Sequence, residues 1–468
     1  MSRPDRRRFL SQLLGGAAAS LAAPAWLHAA EFSTDEQNRQ GILGTGSRRG
    51  LPGSRKGLAG SGKGLAGSGK GLPGSRVGSP GEKGIGEDEA YWERVKGHFS
   101  LAPGLILMNA ANLCPSPYPV QESVFSHTRD VNQDPSFQNR GKFGALKEEA
   151  RAALAEYVGA SPSEIAITRN TSEGNNSVVN GLDLGAGDEV VLWDQNHPTN
   201  SVSWDVRARR RGFTVRRVST PPGSEDAGRL LDSFLAAVTN RTRVLAFSHV
   251  SNSSGVGIPA RELCRVARER GILTLVDGAQ TFGALELDLH DIGCDFFTGS
   301  SHKWFMGPKE AGILYVREEI QERLWPTHVG VGWEGAEGNG AQKFENMGQR
   351  DDAAVVSMAT AAAFHEAIGP AVVQERVREL ASAVKQGLNE EIPGVRFHTP
   401  LAPTLSAGVV VFSLPGGAHR EVFQGVYENH NVGCAAMGGE FDGIRLSPHT
   451  YNTLDEVGAA VEAMADYA

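Results

Sequence analysis

The sequence predicts an α/β fold: a large, mostly parallel central sheet covered by helices, followed by a smaller C-terminal α+β domain. Apolar segments of strand length alternate with helical segments from Glu164 to Val316, and repeated strand–helix units form parallel sheets. After Trp325 the pattern changes to a long alanine-rich helical region with a few separate strands and helices. The chain has 468 residues, which is enough for two packed domains.

We expect the large domain to span residues 113–326. Apolar side chains recur at helical spacing from Phe143 to Val158, and Gly159 ends this first helix. Short apolar, β-prone segments follow, bounded by polar turn residues. The expected strands cover residues 164–168, 188–194, 213–218, 243–250, 272–276, 295–298 and 311–316, and the expected helices cover residues 142–158, 198–211 and 259–270.

The smaller domain is expected at residues 327–468. Its expected elements are a helical region at 353–392, a strand at 408–414, and helices at 420–430 and 453–467. Residues 87–112 contain a short helical pattern and the apolar strand Leu105–Met108. We expect this segment to pack with the smaller domain or against a partner subunit.

Residues 1–30 indicate an export signal. The pair Arg6-Arg7, followed by Arg8-Phe9-Leu10, precedes a small and apolar run from Leu13 to Leu27, which is too short to span a bilayer as a stable helix. Twin arginines followed by Phe-Leu resemble a twin-arginine signal, which is an address and not an anchor. We therefore expect export, to the periplasm. The alternative is a basic amphipathic start without a targeting role.

Residues 31–86 form a glycine-rich, basic, low-complexity linker. Four units of about seven residues repeat at 48–54, 55–61, 62–68 and 69–75. Several glycines and a single apolar residue in each unit exclude a coiled-coil seam, so a flexible coil is expected. The tract either makes weak electrostatic contact with an anionic surface or is a solvated tether without a partner.

Charge is divided unevenly along the chain. Residues 1–85 contain 13 Lys and Arg against 5 Asp and Glu, a net charge of +8. Because the whole chain carries −8, the remaining residues carry −16. Nucleic-acid binding by the acidic folded part is therefore not expected. The four cysteines, Cys114, Cys264, Cys294 and Cys434, have neither CxxC nor metal-ligand spacing. We expect no disulfide framework and no metal site.

Polar side chains follow the ends of successive predicted strands, where parallel sheets bind ligands. They are Thr171, Ser172, His197, Asn252, Asp277, Gln280, Ser300, His302 and Lys303. Taken singly, each is more often a capping or core polar residue. The pair Thr171-Ser172 leaves two interpretations open: an anion site at a helix N-terminus or an ordinary capping box.

Asp277 and Lys303 suggest the chemistry of this edge. Asp277 ends an apolar run, where an unpaired carboxylate is costly. Lys303 follows one strand later, and most lysines are solvated surface charges. Together they suit pyridoxal 5′-phosphate, a cofactor with a basic ring nitrogen and an aldehyde. A lysine amine forms a Schiff base with the aldehyde, and a buried carboxylate keeps the ring nitrogen protonated.

The other strand-end residues match the remaining groups of the same cofactor. His197 can stack on the ring, and Gln280 and Asn252 can hydrogen-bond the ring hydroxyl. Hydroxyl and imidazole groups suited to the phosphate are those of Thr171, Ser172, Ser300 and His302. The sequence therefore predicts one cofactor site along this edge of the sheet, with Lys303, His197 and Asp277 as the catalytic residues.

Five motifs resemble the fold-type I pyridoxal-phosphate enzymes of the aminotransferase class V family. They are Thr-Ser-Glu-Gly at 171–174, Asn-His-Pro at 196–198, Ser-His-Val-Ser-Asn at 248–252, Val-Asp-Gly-Ala-Gln at 276–280, and Ser-His-Lys-Trp with a following Gly-Pro at 301–308. The resemblance covers nearly all of residues 87–468. It implies the roles given above, Lys303 as the Schiff-base lysine, and a homodimer with sites at the subunit interface.

Within this family, residues 443–452 most resemble isopenicillin N epimerase-like members. The resemblance implies that Arg445 binds a substrate carboxylate, for which a planar guanidinium is well suited. A surface salt bridge is the alternative. The expected activity is transamination or epimerisation at the α-carbon of an amino-acid-like substrate, with Lys303 moving the α-proton.

Two other functions compete with this expectation. Cysteine desulfurases share the scaffold, but their sulfur-accepting cysteine lies in a loop before the arginine; here only Cys434 is a candidate, and a buried structural cysteine is preferred. A non-catalytic envelope-associated protein is the more remote alternative. Gln349 also departs from the family, because relatives often carry a threonine there that reaches the partner subunit's phosphate.

Overall fold

A seven-stranded sheet is the largest element of the computed structural model, which describes residues 88–220 and 224–468. Its strands are β2 (Ile165–Thr168), β3 (Glu189–Trp193), β4 (Thr214–Val218), β5 (Thr242–Ser248), β6 (Leu273–Asp277), β7 (Phe296–Ser300) and β8 (Gly312–Val316). Their order is β2-β8-β7-β6-β5-β3-β4, and β8 alone runs antiparallel to its neighbours. The predicted α/β fold with a mostly parallel central sheet is confirmed.

Nearly all strands of this sheet are buried on both faces, because helices cover the sheet. In chain order they are α1 (Glu89–Lys96), α2 (Tyr118–Gln133), α3 (Phe137–Arg140), α4 (Lys142–Tyr157), α5 (Thr171–Gly181), α6 (Val202–Arg211), α7 (Ala227–Ala237), α8 (Ala260–Glu269), α9 (Leu289–Ile292) and α10 (Trp333–Ala336). Of these, α1 precedes the sheet and packs elsewhere, as its ion pairs show.

The C-terminal part of the chain forms a separate antiparallel sheet. Its elements are α11 (Asp352–Ile368), α12 (Pro370–Glu391), β9 (Arg396–Phe397), β10 (Val410–Ser413), α13 (His419–His430), β11 (Val432–Gly433), β12 (Ala435–Met437), β13 (Gly443–Leu446) and α14 (Leu454–Ala465). The strand order is β12-β13-β10-β9. A short strand near the start of the described chain, β1 (Ile106–Leu107), pairs in parallel with β11.

The N-terminal segment contacts this C-terminal part. Lys96 forms an ion pair with Glu456 at 2.7 Å, and Glu89 forms one with the buried Arg376 at 2.5 Å. Met108 belongs to the same core cluster as the side chains of the small sheet. The segment 88–112 is thus held to the C-terminal elements by both ion pairs and apolar packing.

The alanine-rich region differs from the single helical region expected at 353–392. It breaks at Gly369, whose φ is 103°, and Pro370 begins a new helix at an angle of 76° to the first. Proline is favoured at the first helical position and disfavoured inside a helix. Side chains of α11, such as Met358, pack in the core of the large sheet, whereas Val384 of α12 packs with the small sheet.

This packing bears on the proposed division into two domains. Ala341 and Phe344 also pack against the large sheet, although the sequence placed all residues after 326 in the smaller domain. The boundaries 113–326 and 327–468 stay a prediction, as do the signal at 1–30 and the linker at 31–86, which lie outside the described residues. Within residues 88–220 and 224–468, no single helix is long and apolar enough to cross a membrane; the bent pair α11–α12 meets that criterion only when joined.

Candidate active site

The carboxyl ends of three neighbouring strands bring the predicted side chains to one edge of the large sheet. β5, β6 and β7 are in register with Ser248 beside Asp277 and Asp277 beside Thr298. β7 then ends at Ser300, three residues before Lys303. The edge predicted to bind a ligand therefore carries a carboxylate, hydroxyl groups and an amine in adjacent positions.

Asp277 is 2% exposed and makes two hydrogen bonds. Its Oδ2 accepts from Asn175 Nδ2 at 2.9 Å, and its Oδ1 accepts from the backbone N–H of Ala279 at 3.0 Å. Asn175 is itself oriented by Thr298, whose hydroxyl donates to Asn175 Oδ1 at 2.8 Å. Among the described residues no cation lies within ion-pair distance of Asp277. The carboxylate is fixed by neutral donors, which suits a protonated ring nitrogen as its charged partner.

Sequence reasoning missed Asn175. It lies four residues after Thr171, on the same face of α5, so the helical period that follows the predicted phosphate turn carried a signal. What the period could not reveal is the contact with Asp277, which is 102 positions away in the chain.

Lys303 is half-buried and lies three residues after the end of β7. Burial lowers the pKa of its amine from the usual value, and the charge of Arg445 acts in the same direction, while Asp277 opposes them. A desolvated lysine amine with a lowered pKa is more often neutral, and only the neutral amine is a nucleophile or a base. The surroundings thus favour a reactive lysine over the alternative of a solvated surface charge.

The N-terminus of α5 provides separate groups for capping and for binding an anion. Asn170 is the cap, because its Oδ1 accepts from the backbone N–H of Glu173 at 3.0 Å. Thr171 does not cap: its N–H donates to Ser300 Oγ at 2.9 Å, and the two hydroxyls lie 2.8 Å apart. Ser172 lines a cleft of about 750 Å³ next to this helix end. The capping role thus falls to Asn170, while the Thr171 and Ser300 hydroxyls bond each other and Ser172 faces the cleft, at a helix N-terminus where an anion can be bound.

His197 lies between β3 and α6, where it begins a short 3₁₀ turn. Its Nδ1 accepts from the backbone N–H of Thr199 at 3.3 Å and lies 3.0 Å from the Thr199 hydroxyl. Burial lowers the pKa of His197, and the charges of Lys303 and Arg445 lower it further, while Asp277 raises it. The lowered pKa favours the neutral imidazole, the form expected of a ring that stacks on a cofactor.

The remaining predicted residues differ in how fully their side chains are already bonded. Gln280 accepts from Trp304 Nε1 at 2.8 Å and donates to the carbonyl of Ala111 at 3.1 Å. Asn252 keeps a buried Oδ1 without a hydrogen-bond partner. His302 is half-buried, and burial together with Lys303 and Lys309 lowers its pKa to about 4. Gln280 is thus committed to protein contacts, whereas Asn252 has an acceptor left for a ligand.

Arg445 is 7% exposed and has no carboxylate partner among the described residues. Its Nη1 donates to the backbone carbonyl of Asn252 at 3.0 Å, and its Nη2 lies 3.4 Å from Asn109 Oδ1. Its Nε is buried without a partner. Burial lowers the pKa of this guanidinium to about 10, with Cys434 opposing. The surface salt bridge considered above is therefore wrong: this is a buried, unneutralised cation.

Cys434 and Gln349 bear on the competing desulfurase function and on the predicted contact with a partner subunit. The thiol of Cys434 is 4% exposed, and burial raises its pKa to about 12, so a thiolate is disfavoured there. All four cysteines are free and buried. Gln349 accepts from Arg140 Nη2 at 2.6 Å, a contact within the chain, and any contact with a partner subunit stays a prediction.

The hydrogen bonding and electrostatics of these groups fit pyridoxal phosphate, independently of the sequence motifs. The site combines a carboxylate without a cation, a lysine whose pKa is lowered by burial, and an unpartnered acceptor at Asn252. Each of these groups lowers the stability of a protein without a ligand, and each complements one part of the cofactor. Asp277 would hold the ring nitrogen and Lys303 the aldehyde. Thr171, Ser172 and Ser300 would hold the phosphate.

Comparison with known proteins points the same way. Residues 122–459 match the aminotransferase class V family. The isopenicillin N epimerase of Streptomyces clavuligerus is 32% identical over 391 residues, covering 80% of this chain and 98% of that protein. A probable cysteine desulfurase of Methanothermobacter thermautotrophicus is 34% identical over 247 residues, covering 51% of this chain and 60% of that protein.

A solved structure shares the fold. A C-DES variant with glycine covalently linked to its pyridoxal-phosphate cofactor superimposes with a TM-score of 0.72 at 25% identity, covering 79% of this chain and 99% of that one.

Proposed function

The chain belongs to the aminotransferase class V family of pyridoxal-phosphate enzymes, and on this premise we propose that it acts at the α-carbon of an amino acid or amino-acid-like substrate. The proposed outcome is epimerisation or transamination, as the similarity to isopenicillin N epimerase along most of the chain suggests. The observation that carries the proposal is Arg445, a buried guanidinium without a carboxylate among the described residues.

Arg445 provides substrate recognition. An uncompensated buried cation is destabilising, and a carboxylate that accepts from its free N–H groups removes that cost. Asn109 and the carbonyl of Asn252 fix the guanidinium from the protein side. The substrate's carboxylate is thereby held in one orientation, with the adjacent α-carbon near Lys303, whose pKa Arg445 also influences.

Lys303 provides the proton transfer. When bound, pyridoxal phosphate supplies an electron-withdrawing ring that stabilises negative charge at the α-carbon. The Lys303 amine, once free of the cofactor, accepts the α-proton and returns one, and its lowered pKa favours the neutral form that the first step needs. Asp277, held by Asn175 and Ala279, keeps its carboxylate in one position throughout. His197 would cover the ring, excluding water from one face.

The test is exchange of the α-hydrogen in heavy water. Wild-type enzyme loaded with cofactor is expected to replace the α-hydrogen of at least one amino acid in a panel with deuterium, detected by mass spectrometry. Arg445→Leu should lose this exchange by about a hundredfold or more while still binding cofactor. Arg265→Leu, which removes an exposed arginine paired with Glu269, is the matched control. No exchange with any amino acid would contradict the proposal.

The products then divide the outcomes. A D-amino acid formed from its L-enantiomer identifies epimerisation, and a keto acid identifies transamination.

Carbon–sulfur cleavage of cysteine is the second candidate, since Cys434 lies beside Ala435, the strand partner of Arg445. Its raised pKa argues against a sulfur-accepting role. Sulfide or alanine released from cysteine, and lost in Cys434→Ala, would favour this second candidate.

We further infer export by the twin-arginine route and assembly as a homodimer. The support for export is Arg6-Arg7 before a short apolar run. The support for a dimer is the set of exposed apolar side chains on the folded part, among them Phe137 and Trp325. Cell fractionation of Arg6→Lys/Arg7→Lys, and the mass of the purified protein in solution, test these two inferences.

A further inference from the structure

The turn that carries Lys303 is held by its backbone carbonyls. We define the lysine turn as residues 301–308, between β7 and β8. The carbonyls of residues 301–303 accept from backbone N–H groups: those of Ser301 and Lys303 within the turn, and that of His302 from Cys114. The next two carbonyls, those of Trp304 and Phe305, accept instead from the imidazoles of two buried histidines, His449 and His365. Two histidines therefore bind consecutive peptide units directly after the lysine.

His449 donates to the first of these carbonyls. Its Nε2 lies 2.7 Å from Trp304 O, and its Nδ1 accepts from the backbone N–H of Thr450 at 2.7 Å. A nitrogen that accepts carries no proton, so the proton is on Nε2, and the ring is neutral. The imidazole is fully buried and also packs against the indole of Trp304, with ring centroids 5.3 Å apart.

His365 makes the same kind of contact one residue later. Its Nε2 donates to Phe305 O at 3.1 Å, since a carbonyl can only accept. Its Nδ1 lies 3.3 Å from the hydroxyl of Tyr157, which donates to it in the neutral tautomer. The imidazole is stacked on the Phe305 ring at 5.2 Å with an interplanar angle of 5°. Each histidine thus holds both the carbonyl and the ring of one residue.

The two histidines come from different parts of the fold. His365 is on α11, which packs on the large sheet, whereas His449 follows β13, four residues after Arg445. The lysine turn is thereby tied to the strand that carries the proposed substrate-binding arginine. The turn needs such support, because Met306 has a φ of 53°, a conformation that residues other than glycine rarely adopt.

We propose that His449 and His365 are positioning residues that fix the Lys303 amine relative to the cofactor aldehyde by holding the carbonyls of Trp304 and Phe305. The inference rests on the proposed function and deepens it. Neither histidine is a candidate for touching the cofactor itself, because each is buried with both ring nitrogens already bonded. Their effect on Lys303 passes through the backbone of the lysine turn.

The experiment measures how fast Lys303 captures the cofactor. Apoenzyme is mixed with pyridoxal phosphate, samples are reduced with borohydride at intervals, and the modified Lys303 peptide is quantified by mass spectrometry. His449→Leu and His365→Leu are expected to slow capture by about tenfold or more. The reason is that moving the amine by about 1 Å from its reactive position lowers the reaction rate strongly. His449→Gln keeps a side-chain donor and should recover most of the rate.

His398→Leu is the matched control for a lost buried histidine. His398 is buried and its Nε2 lies 2.7 Å from Ser413 Oγ in the small sheet, away from the lysine turn. Thermal unfolding of all four variants measures stability separately from capture. The expected pattern is slow capture only in the two leucine variants at the turn, while His398→Leu captures at the wild-type rate even if it unfolds at a lower temperature.

The outcomes separate this inference from the proposed function. If wild-type Lys303 captures no cofactor, the proposed function fails. If the wild-type enzyme captures the cofactor, and folded His449→Leu and His365→Leu capture it at the same rate, only the positioning role is overturned. If one leucine variant does not fold, the other leucine variant decides, and capture at the wild-type rate in that variant overturns the positioning role.

Discussion

At the level of single residues, Asn175 orients the carboxylate of Asp277. A buried carboxylate without a cation relies on neutral donors, and Asp277 has two, of which Asn175 supplies the only side-chain one among its contacts in the described residues. Thr298 in turn holds the Asn175 amide so that its NH₂ group faces the carboxylate. The orientation of the carboxylate proposed to hold the ring nitrogen is therefore set by a neutral asparagine.

Replacing Asn175 with alanine should weaken cofactor binding and lower stability together. Asp277 Oδ2 would lose its donor in a buried site, which costs about 1–3 kcal/mol. Asn176→Ala is the matched control, because Asn176 is the next residue on α5 and bonds only the backbone carbonyl of Ser172. Cofactor titration and thermal unfolding of both variants test the difference. Equal effects in the two would show that Asn175 has no special role.

The sequence could identify the strand-end residues but not their partners. Asp277, Lys303 and Arg445 were recognisable because charged groups follow or occupy apolar runs. Asn109 and Asn175, which orient two of these, are ordinary asparagines in polar stretches. Their partners are 336 and 102 positions away, and no local pattern reports contacts at that distance.

At the element scale, the lysine turn depends on a close approach of two backbones. Gly283 has a φ of 95°, and a Cβ added there would lie 2.2 Å from the backbone nitrogen of Phe305. Phe282, the preceding residue, stacks on the Phe305 ring at 4.3 Å. The segment after β6 therefore forms a wall for the lysine turn that admits only glycine at this point.

Gly283→Ala should be among the more damaging small substitutions in the chain. It combines a left-handed backbone with a clash against backbone atoms, for which we expect a loss of about 3 kcal/mol or more and slower modification of Lys303. Gly271→Ala has a similar φ of 69° but no atom within 4 Å of the added Cβ, so it isolates the backbone effect, about 1 kcal/mol. Denaturant unfolding compares the two variants, and similar losses would show that the close approach to Phe305 adds no cost.

The sheet was more predictable than the helices around it. Short β-prone segments bounded by turn residues placed all seven strands, and six of these strands are almost wholly buried, which leaves a continuous hydrophobic signal. The break between α11 and α12 was missed although Gly369-Pro370 is visible in the sequence. An alanine-rich pattern continues on both sides of the break, so periodicity alone joined two helices that pack on different cores.

At the scale of the whole molecule, buried neutral histidines make stability depend on pH. Burial lowers the pKa of His365 to about 3 and of His449 to about 4, whereas an unfolded histidine titrates near 6.5. Below pH 6.5 the unfolded chain binds protons that the folded chain does not. The free energy of unfolding therefore falls as the pH decreases from 6.5 towards 4, and it is unaffected by these two groups above that window.

Between pH 7.5 and 5.5 we expect each of these histidines to remove about 1 kcal/mol from the free energy of unfolding. This range lies above the pH at which most carboxylates titrate. Denaturant titrations at several pH values measure the slope, and His449→Gln should remove its own share. A free energy of unfolding that stays constant down to pH 5.5 would be inconsistent with buried neutral rings.

Covalent binding of pyridoxal phosphate by Lys303 is tested by borohydride reduction of the purified holoenzyme followed by peptide mass spectrometry. We expect a single reduced cofactor adduct on the peptide that contains Lys303, absent from Lys303→Ala. An unmodified Lys303 peptide, or an adduct on another lysine that persists in Lys303→Ala, would contradict it.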